Sequence, residues 1–334
     1  MEKAKLIQSQ LKSIFGDAPV NLVGGSVRDI VLNREPKDWD YCTPLTPDEI
    51  EDVVRKAGRR PYLTGKRFGT IGFKIPSDFY QSQNPKEWVY VEVTTYRAEK
   101  YDGKSRKPQV EFIDELDADL SRRDFTINAM VLQEDGGIYD PHGGRLDILA
   151  RQIKTVGTPK DRITEDPLRM LRAARFASQL NFGVDPNLTG KMRQLGYTIV
   201  IVSKERWVQE LDKMLMGQKP ERGIKLLMQS DVMKYILPEV YLALQDEELY
   251  YNLASAFEQV KDDVTLNERW AMLLHYVAHP HTIKEEKDRI TFVNHEIVRA
   301  EMVDGICSRL KFSNERRDAL LNDKKIYNKT LDLQ

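Results

Sequence analysis

The stretch "LVGGSVRDIVLNREPKDWDYCT", residues 22–43, sets two glycines ahead of a short helical run and closes with two aspartates one residue apart. On a strand, residues i and i+2 point to the same side, so Asp38 and Asp40 are expected to hold their carboxylates together. Two like charges that close cost free energy unless something neutralises them, and a hard divalent cation with oxygen ligands is the usual remedy. Mg²⁺ is the direct inference: it takes one or two carboxylates, keeps water and adds phosphate oxygens, which suits a nucleoside triphosphate. The "GGS" turn exposes backbone N–H groups at a helix start, and Arg28, one turn in, can reach the same anion. The pattern is neither GxGxxG nor a Walker loop, so a dinucleotide fold and a P-loop are not indicated.

Working outward, Ile7, Leu11, Ile14 and Phe15 predict an amphipathic helix over the first fifteen residues, and "VNLVGG" predicts a short strand ending in a turn. Thr46 and Glu49 have capping-box spacing with Pro47 at the first helical position, so a helix begins there. "TIGFKI" (70–75) and "WVYVEVTTYR" (88–97) alternate as strands do, the second placing Val89, Val91 and Val93 on one face and Tyr90, Glu92 and Thr94 on the other. After "YDPHGGRLDI" (139–148) the periodicity turns helical in "EDPLRMLRAARFASQL" (165–180), "ERWVQELDKMLMG" (205–217), "GIKLLMQSDVMKYI" (223–236) and "NERWAMLLHYVAH" (267–279), and no strand is predicted. The fold class is therefore α+β: a mixed-sheet head over residues 1–150, then an all-helical remainder. Irregular chain is expected near "SDFYQSQNPKEW" (77–88), at "YDGKSRKPQ" (101–109) and over the last few residues.

Composition narrows the class. The chain has 334 residues, too many for one small core, with 41% apolar and 31% charged residues, as in ordinary globular proteins. No apolar run approaches the roughly 20 residues of a membrane span, so no membrane is expected and a cytoplasmic address follows. Cys42 and Cys307 lack CxxC spacing, which predicts two buried thiols with neither a disulfide framework nor a zinc site. A formal net charge of −1 speaks against a uniformly basic coat. Local clusters such as "RAARF" and "KSRKP" keep a polyanionic partner open.

"LVGGSVRD" followed by "DWDYCT" resembles the head of the class II tRNA nucleotidyltransferase and bacterial poly(A) polymerase family, a branch of the polymerase-β-type nucleotidyltransferases. Four further segments match in the family's order: "RRDFTINAM" (122–130), "DPHGGRLDI" (140–148), "EDPLRMLRAARFASQL" (165–180) and "SKERWVQELDKML" (203–215). The resemblance implies a helical neck (151–216), a helical body (217–290) and a short helical tail (291–334) that binds RNA. It implies that Asp38 and Asp40 hold the catalytic Mg²⁺, that Gly25, Arg28 and Arg123 contact the triphosphate, and that the enzyme adds CCA to tRNA 3′ ends from CTP and ATP. Glu92 shares its strand face with Thr94 and is either a third carboxylate near the metal or an exposed strand glutamate.

Asp166 and Arg169, three apart, are expected on one helix face. Cytosine and adenine both present an amino donor beside a ring-nitrogen acceptor, so a carboxylate paired with a guanidinium accepts C and A and rejects U and G. The family uses the matching pair in this way, and Arg172 and Arg175 resemble its other nucleotide-contacting arginines. "TTYRAEKYDGKSRKPQVEF" (94–112) resembles the loop with which CCA-adding members switch from C to A. Relatives with a phosphohydrolase domain carry His-Asp where this chain has His275-Tyr276, so no phosphohydrolase function is expected and His275 is read as a packed histidine. A poly(A) polymerase, a CC- or A-adding specialist and a catalytically silent RNA-binding homologue remain the alternatives.

Overall fold

The computed structural model describes residues 2–76, 88–100, 109–261, 263–286, 289–292 and 294–322. Nearly all of the two internal segments expected to be irregular, 77–88 and 101–109, and the last residues lie outside that range, as does the middle of the 94–112 loop. The chain divides into two compact units, residues 1–158 and 159–334. Among the described residues no helix is long and apolar enough to cross a membrane.

The first unit is built on a six-stranded mixed sheet. Its strands are β1 (Asn21–Val23), β2 (Asp40–Thr43), β3 (Thr70–Pro76), β4 (Trp88–Thr95), β5 (Val131–Leu132) and β6 (Ile138–Tyr139), in the spatial order β3-β4-β2-β1-β5-β6. β2 runs parallel to β4, while β3 is antiparallel to β4 and β1 is antiparallel to both β2 and β5. Period-two alternation sorts the chemistry: Ile71, Phe73, Val91 and Val93 are fully buried on one face, while Gly72, Tyr90, Glu92 and Thr94 share the other.

The apolar face is covered by α1 (Glu2–Phe15) and α3 (Pro47–Lys56), through Ile7, Leu11, Ile50 and Val54 and through the Phe15 ring, 6.2 Å from that of Phe73. Each such aliphatic side chain, fully buried, contributes about 1.5–3 kcal/mol. α3 starts at the expected capping box: Thr46 accepts from the Glu49 amide and Glu49 accepts from the Thr46 amide at 2.8 Å.

The second unit is mainly helical, packed around Trp207, Leu211, Leu215, Leu227, Met233 and Trp270. Two expectations fail here. A hairpin, Ile283–Glu286 paired antiparallel with Arg289–Phe292, interrupts the helices. Its ends carry β-branched and aromatic residues, which favour a ladder over a short charged helix. The helix expected over 165–180 is two helices, α6 (Pro159–Glu165) and α7 (Arg169–Leu180). Pro167 disfavours helical backbone at Asp166, and the Asp166 carboxylate instead accepts from the Leu168 amide at 3.2 Å, a local turn.

His275 is buried, as expected, beside Tyr276 and His279, and His279 packs on His295. Burial, followed by the positive charge of Arg299, pushes His275 down to about 4; burial and His295 do the same to His279. Both are neutral in the native state at pH 7, whereas the unfolded chain protonates them near 6.5. Stability of this unit is therefore full above pH 6.5 and falls as pH drops toward 4, by up to about 3 kcal/mol per histidine. Urea unfolding at pH 7.5 and 5 checks this, and a H275F/H279F double variant that folds should lose most of the pH dependence.

Candidate active site

In the first unit the "DWD" segment enters the sheet as the sequence suggests, with one change. Only Asp40 lies in β2; Asp38 sits in the bend before it and is exposed. The two carboxylates nevertheless line one cavity, of about 540 Å³, together with Glu92. Ser26, buried at the start of α2 (Gly25–Val31), fixes their spacing: its hydroxyl donates to the Asp38 carbonyl oxygen at 2.9 Å and accepts from the Asp40 amide at 3.3 Å. Parallel pairing of β2 with β4 sets Asp40 directly beside Glu92. The third carboxylate is thus brought to the first two by sheet register.

This crowding has an electrostatic signature. The Asp40 carboxyl is pushed up to about 6, chiefly by burial, then by the charges of Glu92 and Asp38, with Arg123 acting in the opposite sense. Such a set fits a hard cation that completes its shell with water and phosphate oxygens. Among the described residues no group of three or more His, Cys, Asp or Glu closes around a metal position by itself.

The glycine turn is held by backbone conformation at Gly24 rather than Gly25. Gly24 has φ 76°, and a Cβ there would stand 3.2 Å from the Arg123 guanidinium, whereas a Cβ on Gly25 would make ordinary contacts with Arg28. Arg28 donates to the Asp29 carboxylate at 2.7 and 2.9 Å and to the Asn128 side-chain oxygen at 2.9 Å. Asn128 donates in turn to Asp124 at 3.2 Å, so "RRDFTIN" braces the turn from behind.

Arg123 donates to Asp119 at 2.9 Å, and Arg122 to the same carboxylate at 2.5 Å. Burial works to raise the Asp119 carboxyl, but the two guanidinium charges and their hydrogen bonds prevail and hold it below the usual carboxylate range. The "DPHGGRLDI" motif is scaffolding: Asp140 accepts from the Gly144 and Arg145 amides, and Asp147 accepts from Thr126 and Lys154.

In the second unit the expected base-reading residues fall in two places. Asp166 lies in the turn before α7, so it does not share a helix face with Arg169; its carboxylate pairs with Arg206 of α9 (Lys204–Leu215) at 3.4 Å. Arg169, buried at the start of α7, donates to Glu165 at 2.6 Å and to the Arg162 carbonyl at 3.0 Å. Arg172 is half-buried, its guanidinium 5.7 Å from the Phe176 ring. Arg175 is buried and paired with Glu210 at 2.9 Å. Sequence reasoning missed Ser26, Gly24, Asn128 and Asp119 as positioning residues, together with the Arg206 partner of Asp166. All of them except Asp119 sit inside quoted motifs.

The sheet, its carboxylate-bearing face and the glycine turn define a polymerase-β-like nucleotidyltransferase head. Residues 20–154 match the family model described as the poly A polymerase head domain, and residues 181–243 match that described as the probable RNA and SrmB-binding site of polymerase A. The chain belongs to the tRNA nucleotidyltransferase and bacterial poly(A) polymerase family. Nucleotidyltransferases of this kind generally need a divalent metal.

Among its relatives is a CCA-adding enzyme of Levilactobacillus brevis, 40% identical over 214 residues, which are 64% of this chain and 50% of that protein. Another is a CCA-adding enzyme of Bacillus licheniformis, 37% identical over 257 residues, 77% of this chain and 59% of that one. The chain thus spans about half the length of the curated relatives it matches. The crystal structure of the Bacillus stearothermophilus CCA-adding enzyme in complex with CTP superposes with a TM-score of 0.67 at 26% identity, over 99% of this chain and 81% of that one.

Proposed function

We propose that the protein is a template-independent RNA nucleotidyltransferase that adds CCA to tRNA 3′ ends from CTP and ATP in the cytoplasm. The observation that carries this reading is the register pairing of Asp40 with Glu92, with Asp38 on the same cavity and the Gly24 turn next to Arg123. Asp38 and Asp40 hold a divalent cation, Mg²⁺, whose chemistry when bound is to offset phosphate charge and ease ionisation of the RNA hydroxyl. Gly25, Arg28 and Arg123 face the triphosphate, with Asp119 and Asn128 keeping the two guanidinium groups aimed. The RNA 3′-hydroxyl gives its proton to solvent as its oxygen forms a bond to the α-phosphorus, the bond from that phosphorus to the bridging oxygen breaks, and pyrophosphate leaves with the electron pair.

Base choice falls to the second unit. Asp166 accepts from the amino group of C or A, and Arg169 donates to the ring nitrogen. Arg172 and Arg175 support the same nucleotide, the latter through the position that its pairing with Glu210 gives it. The relatives' names favour CCA addition over poly(A) synthesis or a partial specialist.

Pyrophosphate release tests the reading. It should require RNA and divalent metal together, proceed with CTP on tRNA ending at the discriminator base, and be negligible with UTP. Release without RNA, or equal release from all four triphosphates, contradicts it. Asp166→Ala should lower the kcat/KM preference for CTP over UTP by about tenfold or more, the worth of one good base contact. Unchanged selectivity in a folded variant would remove Asp166 from base reading.

A further inference from the structure

Beside the carboxylates, the polar face of the sheet carries an aromatic pair to which no role has yet fallen. Tyr90 precedes Glu92 by two residues on β4, so both side chains leave the same face, and burial followed by the Glu92 charge raises the tyrosine hydroxyl above its ordinary value. The Tyr90 ring lies across the backbone of Gly72 on β3, where a Cβ would fall 1.9 Å from the tyrosine oxygen. No other residue type permits that placement. On its far side Gly72 is bridged by Tyr62, whose amide donates to the Gly72 carbonyl at 2.7 Å. The Tyr62 ring meets the Tyr90 ring edge-on, centroids 5.7 Å apart and planes at 66°. Tyr90 is braced on two sides yet stays 42% exposed.

The cavity holding Asp38, Asp40 and Glu92 is also lined by Tyr90, Lys3 and Lys37. Neither the glycine turn, nor Arg28, nor Arg123 is among its described lining residues. A transfer between two substrates needs two approaches to one metal position, and the turn with its arginines already suits a triphosphate. The cavity, with an aromatic plane and lysines, has the chemistry of a single-stranded nucleic-acid end.

The acceptor side also faces a particular demand. In successive additions the terminal base changes, from a variable discriminator to C and then C again. Hydrogen-bond readout would fail on at least one of these, whereas stacking tolerates every base, because each has a π-face.

We propose that Tyr90, braced by Tyr62 across Gly72, is the platform on which the terminal base of the acceptor RNA stacks, holding its 3′-hydroxyl against the Asp38–Asp40–Glu92 cluster. Lys37, exposed at the rim, faces the adjoining phosphate. The assignment rests on the nucleotidyltransferase reading and adds the acceptor site to it.

The test uses an acceptor-stem RNA with 2-aminopurine at its 3′ end, whose fluorescence is quenched by stacking, alongside steady-state extension of the unlabelled RNA. Wild-type protein should quench the probe. Tyr90→Leu should abolish the quench and raise KM for RNA about tenfold or more, while KM for CTP stays near wild type. Tyr90→Phe and Tyr90→Trp, which keep the ring and drop the hydroxyl, should retain both the quench and the low KM.

Wild-type quench and KM in Tyr90→Leu would overturn the platform while leaving the nucleotidyltransferase reading intact. Tyr90→Phe as impaired as Tyr90→Leu would also overturn it, since the residue would then act through its hydroxyl. A wild-type protein that extends no RNA overturns the nucleotidyltransferase reading, and the platform falls with it.

Discussion

Asp40→Asn should lower nucleotide transfer on the order of a thousandfold or more, because in the proposed reaction it removes a carboxylate that would hold a cation worth several kcal/mol at the transition state. The same substitution should leave the first unit as stable as before, or more stable. In the absence of metal, Asp40 is a partly buried carboxyl facing Glu92 and Asp38, and its raised pKa near 6 means that the fold opposes its charge at pH 7. Asparagine keeps the shape and discards the charge. Loss of activity with an unchanged or raised Tm is the expected pairing, measured by primer extension and thermal unfolding. A variant that retains a tenth or more of wild-type transfer would show that Asp40 does not hold the catalytic metal.

Asp119→Ala should have the largest effect on stability. Its carboxylate is 1% exposed and accepts from Arg122, Arg123 and the Arg97 amide. Without it, two guanidinium groups remain side by side with little water to screen them, and breaking such a buried pairing costs about 3–5 kcal/mol. Because the Asp119 carboxyl is held below its ordinary value, its contribution is full above the unfolded pKa near 4 and is lost as pH falls through the lower folded value. A urea midpoint that moves by less than the equivalent of about 1 kcal/mol would place the arginines in water rather than in this pairing.

Much of the first unit was legible because its signals are local. Alternation in "WVYVEVTT" put Glu92 on the open face, and the Thr46–Glu49 box with Pro47 marked the start of α3. Locality also sets the limit. That Glu92 stands beside Asp40 follows from the parallel register of two strands whose paired residues lie far apart in the chain, which no spacing rule reveals.

Asp119 was passed over because an aspartate in "ELDADLS" looks like any acidic first turn until Arg122 and Arg123 fold onto it. The 165–180 segment misled because its apolar spacing is helical throughout, and a single proline outweighs that periodicity at Asp166. The sequence around the paired strands 283–286 and 289–292 is charged enough to read as easily as a helix, and only cross-strand pairing decides it.

The proposed activity builds a short defined sequence on RNA without a template. The direct measurement is the length of product formed with Mg²⁺ on tRNA transcripts ending at the discriminator base, at C or at CC, given CTP and ATP together. Growth by three, two and one residues respectively, stopping there, is the predicted result. An unbounded adenosine ladder, or no growth from any of the three, would contradict it.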